Sequence, residues 1–220
     1  MKIICPACGY EHYFTDLELE DESAIFCCNC NSKKPLVEPK TPDGAEKPDY
    51  ASRGLYKEAI LEACKRAIRI NPNDATMYNK LGLSYNHLGL HKEAMEACKQ
   101  SIRIDPNNAD AYYDLGIAYD GLSLHKEAIE AYKQAIRIDI DYTSAYNNLA
   151  KAYSSLSLYK ESIEALKQAI RLKPADADIH FGLGSLYFLI GDKSSALDEH
   201  KVLKKLDINL ANQLFNLINN

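Results

Sequence analysis

Apolar and polar positions alternate at helical spacing through most of the chain, and the alternation itself recurs. The segment LHKEAMEACKQSIRIDPNNADAYYDLGIAY (90–119) returns as LHKEAIEAYKQAIRIDIDYTSAYNNLAKAY (124–153) and again as LYKESIEALKQAIRLKPADADIHFGLGSLY (158–187), 34 residues further on each time. Within one unit the helical spacing falls in two stretches, about 75–88 and 91–104 in the first copy, separated by LGLH. The second stretch stops before DPNN, where Pro106 cannot continue a helix interior and Asn and Asp favour turns. The pattern predicts helix A, turn, helix B in every unit. One unit alone cannot bury its apolar face, so successive units must stack.

The units fall at 75–108, 109–142, 143–176 and 177–210. A large residue early in helix A stands at Tyr78, Tyr112, Tyr146 and His180, followed by Leu81, Leu115, Leu149 and Leu183. Next come small residues at Gly82, Gly116, Ala150 and Gly184, and aromatics at Tyr85, Tyr119, Tyr153 and Tyr187. Helix B carries small Ala94, Ala128, Ser162 and Ala196. In these positions the body resembles the tetratricopeptide repeat family. The resemblance implies an all-α fold, a right-handed superhelix of antiparallel helix pairs (a solenoid). Small residues let the two helices approach, while aromatics and leucines fill the space between units.

Both ends depart from the pattern. YASRGLYKEA (50–59) matches the close of a helix A and the start of a helix B, so residues 49–74 read as a partial repeat, with one extra residue between Ala59 and Cys64. Its missing helix A leaves Ile60, Leu61, Cys64, Ala67 and Ile68 short of cover, which the linker, the head or a second copy must supply. Homo-oligomerisation through this N-terminal edge is therefore an alternative reading. At the other end, residues 208–219 form a capping helix with Leu210, Leu214, Leu217 and Ile218 on one face. Cys64 and Cys98, at matching positions of two helices B, read as core thiols.

The head, residues 1–34, carries two pairs with equal spacing, Cys5-x-x-Cys8-Gly and Cys27-x-x-Cys30-Asn. Four thiolates so arranged suit tetrahedral zinc. Gly9 and Asn31 supply the left-handed residue such a loop needs after its second cysteine, which leaves Cys28 outside the ligand set. Strand-like HYFTDLEL and AIF lie between the pairs. The head resembles a small β zinc ribbon, and the resemblance implies a structural zinc ion held by Cys5, Cys8, Cys27 and Cys30. Iron in place of zinc, His12 as a substitute ligand and a dithiol redox pair stay open. A ribbon this short would draw its folding free energy from the metal.

Residues 35–48, PLVEPKTPDGAEKP, read as an extended linker to the repeat array at 49–220. Charge is uneven: residues 1–49 hold 5 Lys against 10 Asp or Glu, whereas the remainder holds 21 basic and 21 acidic side chains. Neither part is a surface for phosphate backbones, which argues against nucleic acid as partner. No apolar run approaches the ~20 residues of a membrane span, and the start lacks a signal-peptide pattern. With seven cysteines, an odd number, the expectation is a cytoplasmic protein with a metal site and buried thiols.

The family resemblance implies that helices A line a groove for a protein or peptide partner. Carried over position by position, the groove comprises Thr76, Asn79, Leu83, Asn86 and His87; Asp110, Tyr113, Ile117 and Asp120; Ser144, Asn147, Lys151 and Ser154; and Asp178, Phe181, Ser185 and Phe188. Asn side chains can bond a peptide backbone, and Tyr113, Phe181 and Phe188 offer apolar anchors. The family's paired-cation clamp for a chaperone tail carboxylate is missing, Lys151 being the one firmly basic groove residue. A neutral or mildly basic peptide fits better. No catalytic motif is present, so the expectation is a non-catalytic interaction scaffold.

Overall fold

The computed structural model describes residues 2–4, 11–13, 25–26, 35–37 and 55–219, with side chains from Ile60 onward. By its internal contacts the chain divides into Met1–Pro106 and Asn107–Asn220.

In the first unit β1 (Lys2–Ile4) pairs antiparallel with β2 (Glu11–Tyr13), and β3 (Ile25–Phe26) with β4 (Pro35–Val37). β2 and β3 fall within the two strand-like runs, while β4 takes residues the sequence assigns to the linker. Cys5, Cys8, Cys27 and Cys30, and the rest of the linker, lie outside the described residues. Three helices follow: α1 (Leu55–Ile70), α2 (Ala75–His87) and α3 (His91–Ile104). Their core is Ile60, Leu61, Cys64, Met77, Leu81 and Ala97. The face expected to lack cover is covered within the chain: Ile60 and Leu61 are each 9% exposed and Cys64 is fully buried. β3 and α2 both lie against α1. Ile60, one turn before Cys64, takes the position of Ala94, and so absorbs the extra residue.

The second unit is all-α: α4 (Ala109–Gly121), α5 (His125–Ile138), α6 (Thr143–Ser155), α7 (Tyr159–Leu172), α8 (Ala177–Leu189), α9 (Lys193–Leu206) and α10 (Ile208–Asn219). Helices pair α4 with α5, α6 with α7 and α8 with α9, and α10 packs on α8 and α9. One core joins Ala128, Ile129, Tyr132, Leu149, Ile163, Leu166, Ile179 and Leu183 across the pairs. A second forms under the cap from Ala196, Leu203, Ala211, Leu214 and Ile218. Leu203 is the large residue at a usually small position, and the capping helix buries it completely. The cap's buried stripe is Ala211, Leu214 and Ile218 with Leu210 at its edge; Leu217, expected inside, is exposed. An i, i+3, i+7 row defines the narrow face here, and Leu217 falls beside it.

Local chemistry repeats with the sequence. Each helix A ends on a left-handed residue at the same unit position: Gly89 (φ 73°), Ser123 (φ 59°), Ser157 (φ 59°) and Gly191 (φ 82°). The turn then closes with backbone bonds such as Leu124 N to Tyr119 O at 2.9 Å and Leu158 N to Tyr153 O at 2.9 Å. Helix A starts on a side-chain cap in three of four units: Asp74, Asn108 and Asp176 accept from Met77, Ala111 and Ile179 N–H. The fourth start, at Tyr142, has no side-chain cap. The helices A and B interlock through the small position: a Cβ on Gly116 would stand against the Tyr132 ring, 2.6 Å from Cδ1. Cys98 fills the same place beneath Gly82.

Candidate functional site

The groove positions divide between the two units. In the first, α2 carries Asn79 and Leu83 half-buried and Asn86 buried, with Asn86 Oδ1 3.4 Å from His91 Nδ1. Among the described residues Asn79 Oδ1 and the neighbouring Lys80 Nζ are buried without a hydrogen-bond partner. Lys80 stands at the unit position that Asn148 takes in α6.

In the second unit the helices A are α4, α6 and α8. Asp110 and Lys151 are exposed, while Tyr113, Ile117, Asp120, Asn147, Ser154, Phe181, Ser185 and Phe188 are half-buried. Tyr113 is the centre of a polar cluster. Asn148 donates to its hydroxyl at 3.1 Å, and Lys151 Nζ donates in turn to Asn148 Oδ1 at 3.4 Å. The Tyr142 ring lies against Tyr113 with centroids 4.9 Å apart, and the Tyr142 hydroxyl donates to Asp110 Oδ1 at 2.7 Å. Burial, with Asp110 second, pushes the Tyr142 phenol well above its ordinary range. Burial likewise raises Tyr113, with Asp114 adding to it. Both rings stay neutral at physiological pH and offer apolar faces, with the Tyr142 hydroxyl donating and the Tyr113 hydroxyl accepting.

Asp120 is also held within the unit. Its two carboxylate oxygens take the Tyr132 hydroxyl at 2.9 Å and His125 Nδ1 at 2.9 Å, tying α4 to α5. Burial, then Asp120, raises the Tyr132 phenol far out of reach of neutral pH. Phe181 and Phe188 pack at partial burial against the core under the cap, so they share their surface between that core and the helix-A face. Ser185 Oγ on the same helix is buried with no hydrogen-bond partner among the described residues.

Tyr142 and Asn148 were absent from the residues carried over by position. The signal for Tyr142 was nonetheless in the sequence: it stands where Asp74, Asn108 and Asp176 stand in the other units. Among the described residues no group of three or more His, Cys, Asp or Glu is placed to hold a metal ion. Among them, too, no helix is long and apolar enough to cross a membrane.

Stacked helix pairs with matched turns and a side-chain-lined helix-A face define an α-helical repeat protein. Residues 73–141 match the family described as Tetratricopeptide repeat, and residues 158–191 the one described as TPR repeat. The chain belongs to the tetratricopeptide repeat family. It is similar to a crystal structure of MamA at 27% identity and TM-score 0.66, covering 75% of this chain and 98% of that one. A second MamA structure shares 30% identity at TM-score 0.63 over 68% of this chain and 82% of that one. The fold is shared with YrrB, described as a TPR protein with an unusual peptide-binding site, at 21% identity and TM-score 0.62, over 73% of this chain and 84% of that one. No curated protein matches the chain.

Proposed function

We propose that the protein is a non-catalytic scaffold that holds a partner peptide or helix against the helix-A face of Asn107–Asn220. The observation that carries this reading is the run of Tyr113, Asn148 and Lys151, hydrogen-bonded to one another across α4 and α6 with Lys151 open to solvent. Amide and hydroxyl groups held in this way can bond an extended backbone, and the adjoining rings supply apolar contact. Asn147→Ala with Lys151→Ala, checked for folding by circular dichroism, tests it in a pull-down with the full chain. Proteins retained by the native chain and lost with the variant support the reading; equal recovery by both overturns it.

The same reading gives the head a structural zinc ion on Cys5, Cys8, Cys27 and Cys30. What supports it is chain position: Cys5 and Cys8 follow β1 and precede β2, and Cys27 and Cys30 follow β3 and precede β4. By chain position each pair thus lies between two antiparallel strands, and the paired C-x-x-C spacing suits four thiolates around one ion. Bound there, zinc would contribute folding free energy to the head.

Self-association is the second reading, and the observation favouring it is at the C-terminal edge. Ile208, Phe215 and Leu217 on α10 are 56%, 46% and 40% exposed. Light scattering across a concentration series, with Phe215→Glu beside the native chain, decides it. A concentration-independent monomer removes this reading.

A further inference from the structure

Three observations converge on one corner of the helix-A face, and they go beyond the statement that a peptide binds there. The first is the break in the repeat. Position for position, Tyr142 replaces the capping Asp or Asn of the other units, and α6 begins with no side-chain cap. Giving up such a cap is destabilising. Positions where a local rule is broken without structural need are the places to look for function. The second is what Tyr142 does instead. It reaches back from the start of α6 to α4, lies tilted against Tyr113 and donates to Asp110 Oδ1. Two aromatic rings then adjoin a carboxylate whose other oxygen has open acceptor capacity, on an exposed residue.

The third is the charge of the layers. Helices α4, α6 and α8 hold four aspartates, Asp110, Asp114, Asp120 and Asp178, against the single cation Lys151. The outer helices α5, α7 and α9 hold ten Lys or Arg against six Asp or Glu. The helix-A layer is therefore acidic and the helix-B layer basic. On the outer helices an i, i+3 pair recurs in each unit, Glu130–Lys133 at 3.0 Å, Glu164–Lys167 at 3.1 Å and Asp198–Lys201 at 2.8 Å, so those acids are already partnered. Asp120 is likewise engaged by Tyr132 and His125. Asp110 and Asp178 are the exposed helix-A carboxylates, and Asp110 is the one bonded to the Tyr142 hydroxyl beside the Tyr113–Tyr142 pair.

We propose that Asp110, Tyr113 and Tyr142 form a seat for an arginine or lysine side chain of the partner segment. The inference rests on the groove reading above and assigns the chemistry of its occupant. A guanidinium laid on the Tyr113–Tyr142 faces gains a cation–π contact and a charge-assisted bond to Asp110. Lys151, along α6, repels a second cation and favours a backbone carbonyl next to the seated residue. The partner is a basic, partly apolar peptide, and an acidic tail is disfavoured at this corner.

The test uses the full chain and three fluorescein-labelled peptides that alternate leucine with arginine, with glutamine or with glutamate, read by anisotropy. The variant Tyr142→Asn restores a capping side chain, so it keeps the fold while removing the ring. Asp110→Asn keeps the shape and removes the charge. The arginine peptide is expected to bind about tenfold tighter than the glutamine peptide, a margin lost in both variants while glutamine-peptide binding is unchanged. A margin that survives both variants means diffuse attraction and overturns the seat. Equal binding of all three peptides, lost in Asn147→Ala with Lys151→Ala, leaves the groove reading standing and the seat refuted. Preference for the glutamate peptide refutes the seat as well, and no binding of any peptide refutes seat and groove together.

Discussion

The Tyr142 hydroxyl donates to Asp110 Oδ1 at 2.7 Å, joining the residue ahead of α6 to the second residue of α4 one repeat earlier. The bond stands in for a helix cap, so the two can be exchanged. Tyr142→Asn loses the bond and the ring contact but gains a cap, and the change in unfolding free energy should stay within about 1 kcal/mol. Tyr142→Ala loses both, and should cost more. Urea titrations of the two variants check this; an Ala variant as stable as the Asn variant would show that the cap contributes nothing.

Gly116 and Gly182 should respond in opposite directions to the same substitution. Added at Gly116, a methyl group meets the Tyr132 ring, with Cδ1 at 2.6 Å. At Gly182 it meets Leu166 Cδ1 at 3.7 Å, an ordinary contact. Gly116→Ala is expected to destabilise by ~1–3 kcal/mol through overpacking. Gly182→Ala is expected to be neutral or to stabilise by up to ~1 kcal/mol through helix propensity. Chemical denaturation distinguishes them, and like signs would count against the packing account.

Ser123 and Ser157 hold φ near 59° at a turn where two other units use glycine. A side chain at such an angle costs roughly 1 kcal/mol. Ser123→Gly and Ser157→Gly should therefore raise the unfolding midpoint slightly, offset in part by the freedom glycine adds to the unfolded chain. A lowered midpoint in both would mean the hydroxyls hold the turns in some other way.

His200 is buried and stacks on Phe215 with ring centroids 5.2 Å apart. Burial first, then Lys204, holds its imidazole below the ordinary value of 6.5. The unfolded chain therefore binds the proton more readily than the folded one. Stability is full above pH 6.5 and falls as pH drops through the folded value. Leu166 occupies the matching position, so His200→Leu should stabilise the unit and flatten the acid limb. Thermal unfolding at several pH values provides the comparison, and an unchanged slope would remove His200 as its source.

If the head binds zinc as proposed, the chain should purify with about one equivalent of metal. Cys27→Ser should lower that content and Cys28→Ser should leave it intact. Elemental analysis of the three proteins is the measurement. Loss of metal with Cys28→Ser would redraw the ligand set.

The fold of the body was legible because its information is redundant. Four copies of one pattern placed Leu81, Leu115, Leu149 and Leu183 in the core, and all four are buried. Cys64 and Cys98 are buried thiols for the same reason, at a position that Tyr132, Leu166 and His200 also fill. The helix-A face was less legible. Positional carry-over treats each unit alone, so it could not see that Asp120 is engaged by Tyr132 and His125, or that Phe181 and Phe188 share a core with the cap. Nor could it weigh Tyr142, whose partner Asp110 stands 32 residues back on the preceding helix A. Leu217 shows a finer limit: helical spacing allowed it on the buried stripe, and only the packing of α10 on α8 and α9 turned it outward.

The fit of Tyr132 beneath Gly116 also bears on how such a chain can diversify. Where Gly116 faces Tyr132, the next unit sets Ala150 and Leu166 in the same core. A recombination joint inside the turn between helices A and B would set Ala150 over Tyr132 and jam the pair. A joint after helix B carries both partners together and leaves each fit undisturbed. The heritable module is thus the matched pair of helices, and repeats gained or lost by this chain should show their seams between units.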